Sequence, residues 1–241
     1  MTYSLAGRCA RTGMLGSIVT TSSIAVGNRC QFARAGVGAV LTQHRTDPRL
    51  GPLGLSFLEL GLSAPEAINA LVSSTPHHGW RQLAVIDANG QSAHYSGHNI
   101  HSIHAGALGS NCVAIANVVR SAQVPAAMVH AFEAEPHQPL AERLCAALRA
   151  GRDAGGEFKQ VTSAGLLVVH EHAFPYVDLR VDDHPDPIAE ITRLWTLYAP
   201  VADNYLKRVL EPDSPQANAL SVGYLTAEEA RAVLAKEQAE R

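Results

Sequence analysis

The stretch TYSLAGRCARTGMLGSIVTTSSIAV, residues 2–26, reads as two short apolar strands joined by a turn, with a threonine heading the first. Residues 3–9 form one strand, Arg11-Thr12-Gly13 the turn, and residues 15–21 the second, where β-branched Ile18, Val19, Thr20 and Thr21 favour extended backbone. If the initiator methionine is trimmed, Thr2 carries a free α-amine beside its own hydroxyl. A hydroxyl is a weak nucleophile until a base takes its proton, and a terminal amine with a pKa of about 7.7–8 can be that base. Simple pairing about the turn brings Thr21, Ser22 and Ser23 back towards Thr2.

Outward from this hairpin, 241 residues at 46% apolar composition suffice for one sizeable α/β domain or two small ones. A net charge of −3 leaves no electrostatic footprint for nucleic acid. No run reaches the ~18 apolar residues of a membrane span. Gly7, Arg8, Cys9 and Arg11 interrupt any signal-peptide pattern, so a cytoplasmic protein is expected. Cys9, Cys30, Cys112 and Cys145 form no Cys-x-x-Cys pair and read as small buried apolar residues. Against 16 arginines there are only three lysines, so Lys159 is the sole mid-chain candidate for lysine chemistry.

Further strands are expected at 36–42, 81–87, 91–96, 112–116, 163–170 and 175–181, with Asn89-Gly90 a strong hairpin turn. Helices are expected near 52–60, 64–73, 123–134, 138–150 and 186–210. Ser63 and Glu66 form a capping box, Asp186 caps the long helix, and a last helix starts from Thr226 within the tail 211–241. Strands in hairpins, interleaved with helices, point to antiparallel sheet covered by helices. No glycine-rich phosphate loop follows a strand, and no cofactor is implied.

Several segments together resemble a known family: Thr2–Ala6, Arg11–Gly16, Thr21–Gly27, Arg34–Gln43, Thr46–Pro52, Ser163–Val169 and Val177–Ile188. In this order and spacing the chain is similar to the family catalogued as domain of unknown function 1028, within the N-terminal-nucleophile (Ntn) hydrolase superfamily. The resemblance implies an α+β fold, a four-layer αββα sandwich of two antiparallel sheets over residues 1–210, and places the superfamily's nucleophile at Thr2. Asn117 matches the family's Gly-Asn or Ala-Asn position and is a candidate oxyanion donor, with turn capping as the alternative. His104 matches a family histidine. Ser22 and Ser23 are candidates to orient the amine, at a place where other branches of the family carry His or Lys.

Arg29, Gln43, Asp47 and Arg49 follow apolar strands on loops, where a pocket is commonly lined, and Asp183 lies in the Asp-Asp-His-Pro-Asp-Pro loop. The arginines suit a substrate carboxylate, although ordinary surface roles compete for each of these residues. His94, His98, His101 and His104 crowd one segment, yet with no acidic residue nearby a metal centre is disfavoured. The expected activity is an amidohydrolase: Thr2 cleaves a carbon–nitrogen bond of a small amide or peptide-like molecule through an acyl-enzyme. The alternative is a catalytically silent Ntn-fold protein that binds a small metabolite or partner chain. A homodimer is plausible on either reading.

Overall fold

The computed structural model describes residues 1–214 and 227–239. The first hairpin pairs β1 (Thr2–Arg8) with β2 (Leu15–Thr21), in the register Tyr3↔Thr20 to Arg8↔Leu15. Next come β3 (Gln31–Arg34) and β4 (Gly38–Gln43), followed by helices α1 (Leu50–Glu59) and α2 (Ala64–Ser73). A second run supplies β5 (Gln82–Asp87), β6 (Ser92–Ser96), β7 (His104–Gly109) and β8 (Cys112–Asn117). Then follow α3 (Val124–Ala134), α4 (Leu140–Asp153), β9 (Ser163–Val169), β10 (Val177–Val181) and α5 (Pro187–Leu210). A final helix, α6, spans Ala227–Ala239.

The strands form two antiparallel sheets, in the orders β10-β9-β2-β1-β8-β7 and β3-β4-β5-β6. α1 and α2 cover the four-stranded sheet, through Leu50, Leu55, Leu58, Ile68 and Leu71 against Val40, Leu83 and Val85. α3 and α4 cover the six-stranded sheet. Between the sheets lies an apolar layer built from Ala6, Leu15, Ala39, Leu41, Ala84, Ile86, Val113, Ile115 and Val169. This is a four-layer αββα sandwich.

Strand alternation in β1 explains how one hairpin serves two layers. Ala6 joins the inter-sheet core and the Ser4 hydroxyl donates to Gln43 Oε1 at 2.8 Å, so Thr2, Ser4 and Ala6 face the second sheet. Tyr3, Leu5 and Gly7 face the helices. Gly7 is required there, since an added Cβ would stand 2.5 Å from Phe132 Cζ.

Two strands exceed the sequence expectation. The third expected strand, 36–42, is the second half of a hairpin whose first half, β3, has no counterpart among the expected strands. β7 begins at the last residue of the histidine-rich stretch and likewise has no counterpart among the expected strands. The Ser63 N–H donates to Glu66 at 2.8 Å, and Asp186 Oδ1 accepts the Ala189 N–H at 3.0 Å at the start of α5. Thr226 lies outside the described residues. The chain divides into compact units at Met1–Thr196 and Leu197–Arg241, so the expected boundary at 210 falls inside the second. That unit holds the later part of α5, where Tyr198 stacks on Tyr205 with ring centroids 5.8 Å apart, and α6.

Candidate active site

Sheet register assembles a row of polar residues at one end of the six-stranded sheet. Tyr3↔Thr20 places Thr21 opposite Thr2, and Thr2 also pairs with Asn117. Thr21 pairs in turn with Ser163, and Asn117 with His104. Directly paired residues share a face. Ser163, Thr21, Thr2, Asn117 and His104 therefore present their side chains together, towards the second sheet. Thr2 is 6% exposed, while Thr21, Asn117 and Ser163 are buried almost completely.

The second sheet answers with amides. Gln43 Nε2 donates to Gln82 Oε1 at 2.7 Å and to the Thr2 carbonyl at 3.4 Å. Asn117 Nδ2 donates to the same Gln82 oxygen at 3.0 Å. Gln82 Nε2 is pinned by the carbonyls of Ala105 and Ala116 and by the Ser96 hydroxyl. With its nitrogen held among acceptors, Gln82 must show its oxygen to Gln43 and Asn117, which fixes the orientation of both. Asn117 Oδ1 is left buried with no hydrogen-bond partner among the described residues.

Met1 fills the space before Thr2. Its carbonyl accepts hydrogen bonds from both the Thr2 and Thr21 hydroxyls, and its sulfur lies 3.6 Å from Ser22 Oγ. Thr2 and Thr21 hydroxyl oxygens are 3.3 Å apart. Burial lowers the affinity of the Met1 amine for its proton, while the nearby Glu157 carboxylate pulls the other way.

Glu157 is the acid that sequence reasoning missed. It is 6% exposed, accepts the Ser22 N–H at 3.2 Å through Oε2, and keeps Oε1 buried with no partner among the described residues. Desolvation raises its pKa to about 7, although the Ser22 and Thr21 groups and the terminal amine oppose the shift. A Gly-Gly-Glu-Phe segment reads locally as surface loop. The bridge between Val119 and Glu157, with Arg120 donating to the Gly156 and Glu157 carbonyls, carries it inward. His44 was also missed. Its ring is half-buried, bonds the Trp80 carbonyl at 2.8 Å, and has its proton affinity lowered by burial and by the nearby terminal amine and His104.

The remaining candidates are placed differently. Ser22 stands one residue beyond the direct partner of Thr2, and Ser23 Oγ accepts from Arg29 at 2.6 Å. Arg29 also donates to the carbonyls of Ile24 and Ala25, which ties its fork into its own loop. Asp47 and Arg49 form a mutual pair with contacts of 2.9 and 2.7 Å, and Arg81 lies 3.7 Å from the same carboxylate. That pairing holds the Asp47 carboxyl below its usual range. Both arginines expected to meet a substrate carboxylate are thus engaged internally. His104 Nδ1 lies 2.8 Å from the Ser102 carbonyl. Asp183 is exposed, between residues whose backbones bond Ala25 and Thr162. Among the described residues no three His, Cys, Asp or Glu side chains come together as metal ligands. His98 packs edge-on to His78 and His101 edge-on to Trp80, while His94 faces Gly106 between the sheets. Nor is any described helix long and apolar enough to cross a membrane.

Backbone strain gathers at the same end. Five described non-glycine residues have positive φ, and Ala25, His44, Arg45 and Val118 among them follow the strands that deliver Thr21, Gln43 and Asn117. Each costs on the order of 1–3 kcal/mol, and a β-branched residue such as Val118, at φ 56°, is a marked outlier.

Comparison with curated proteins returns no match. Among solved structures, the fold is similar to protein SPO2555 from Silicibacter pomeroyi, described as a DUF1028 protein. The TM-score is 0.76 at 29% identity, covering 82% of this chain and 88% of that one. Anbu (ancestral beta-subunit) from Yersinia bercovieri matches at a TM-score of 0.36 and 12% identity, over 83% of this chain and 97% of that one. The model for DUF1028, described as a family of unknown function, matches residues 2–191, and the chain belongs to that family.

Proposed function

We propose that the protein is an N-terminal-threonine amidohydrolase of the Ntn type, activated when Met1 is removed. The observation that carries this reading is the coincidence of Thr2 with two buried acceptors lacking donors, Asn117 Oδ1 and Glu157 Oε1. A buried acceptor without a donor costs about 1–3 kcal/mol, so such groups call for a reason. A free α-ammonium on Thr2 brings three N–H donors to this end of the sheet.

In the trimmed chain the α-amine takes the proton from Thr2 Oγ1 as that oxygen attacks the carbonyl carbon of a small amide. The developing oxyanion takes the second N–H of Asn117 Nδ2, whose first is committed to Gln82. The ammonium then gives its proton to the departing amine as the C–N bond breaks, leaving an ester on Thr2. Water, deprotonated by the same amine, cleaves the ester, and the proton returns to Thr2 Oγ1. Glu157, with a pKa near neutrality, is suited to hold the amine and exchange its proton.

The test combines intact mass with chemistry. The purified protein should have lost the mass of Met1, and a β-lactone probe should acylate wild type and Thr2→Ser but not Thr2→Ala. A native protein that keeps Met1 and ignores the probe overturns the hydrolase reading. In that case the silent metabolite-binding alternative is favoured, because the Met1 carbonyl already engages the Thr2 hydroxyl.

A further inference from the structure

At the far end of β1, about 20 Å from Thr2 at the usual strand rise, lies a second polar cavity. Its volume is about 420 Å3, and it is lined by Arg8, Arg11, Arg143, Asn111, Glu133 and His137 with their neighbours. Arg8 ends β1, Arg11 stands in the β1–β2 turn, and Arg143 comes from α4.

Arg143 is only 6% exposed. Its Nε donates to the Phe132 carbonyl at 2.9 Å, and its guanidinium lies 3.9 Å over the Phe132 ring. Nη1 and Nη2 have no hydrogen-bond partner among the described residues. Arg8 donates from Nη1 to Asn111 Oδ1 at 3.2 Å, while its Nε is buried without a partner. Arg11 donates to the His137 carbonyl at 3.2 Å. Among the described residues none of the three arginines forms an ion pair. Glu133, the cavity's carboxylate, accepts the Ser110 N–H and favours the charged form of Arg143 without forming an ion pair with it.

A buried charge is ordinarily paired, because desolvation without a counter-charge is costly. Three guanidinium groups around one small cavity, with unspent planar donors, match the geometry of an oxyanion with two or three equivalent oxygens. We propose that this cavity is a binding site for a small metabolite carrying a carboxylate or phosphate group, held by the Arg143 fork and the Arg8 side chain. The site is separate from Thr2 and does not depend on its chemistry.

Thermal melts of the full chain, at fixed ionic strength in chloride, phosphate or succinate, test the assignment. Wild type should gain about 5 °C in Tm in a saturating oxyanion over chloride. Phosphate and succinate, compared directly, separate a phosphate preference from a carboxylate one. The gain should vanish in Arg143→Met and in Arg8→Gln. Because Arg143→Met removes a packed side chain, Arg8→Gln combined with Arg11→Gln serves as the decisive variant if the first does not fold. No gain over chloride in wild type, or an equal gain in the Arg8→Gln/Arg11→Gln chain, overturns the site.

Discussion

Glu157 is buried beside Ser22 although its sequence neighbourhood reads as loop. Its folded pKa of about 7 lies above the ordinary 4.5, so in the interval between them the folded chain holds a proton that the unfolded chain has lost. Stability therefore falls as pH rises through that window, by about 3 kcal/mol in all, and is unaffected by this residue below it. Chemical denaturation of Glu157→Gln should show this slope flattened between pH 4.5 and 7; an unaltered slope would mean that the carboxyl is solvated. If Glu157 also exchanges the amine's proton, the same variant should lose the neutral-pH limb of its amidase profile and fall at least tenfold in kcat, with KM little moved. Thr2 could be singled out from the sequence because strand position and terminal chemistry converge there. Glu157 and Gln82 could not, since their roles arise from a non-local bridge and a cross-sheet amide cluster.

Among the elements, β1 carries most of the constraint. Its even positions feed the inter-sheet layer and its odd positions the helix layer, so a slip of one residue would exchange Thr2 for Tyr3 at the site. Gly7 fixes how closely α3 approaches. Gly7→Val should cost about 1–3 kcal/mol by urea denaturation, because its branched side chain must displace the Phe132 ring. Gln82 on β5 links the two sheets through hydrogen bonds with Gln43 and Asn117. Gln82→Ala leaves both amides without their acceptor and should destabilise by about 3 kcal/mol while lowering the rate of Thr2 acylation. Unchanged acylation would place Asn117 outside the reaction. The β1–β2 and β5–β6 hairpins were readable because turn glycines separate alternating strands. β3 and β7 were not: one is four residues long, and the other is a glycine- and histidine-bearing strand with no apolar alternation.

At the scale of the molecule, hairpin order implied antiparallel sheets and the family resemblance supplied the number of layers. Local pattern does not encode the β2–β9 pairing that joins residues nearly 150 positions apart and completes the larger sheet. Such closure depends on which apolar faces remain uncovered once the hairpins have formed. Family similarity stops at 191 and the first compact unit at Thr196, with Trp195 still present to donate from Nε1 to Glu142 at 2.9 Å and Ile188 and Ile191 buried. A chain ending at Thr196 thus retains every layer of the sandwich and every residue of the Thr2 row. It should melt in one cooperative transition by circular dichroism and be acylated at Thr2 by the β-lactone probe at the full-length rate. A chain cut at residue 186 loses the buried isoleucines and Trp195 and should melt at least 10 °C lower, about 3–5 kcal/mol at this size. If the cut at Thr196 already abolishes the cooperative transition, the second unit is part of the folding core.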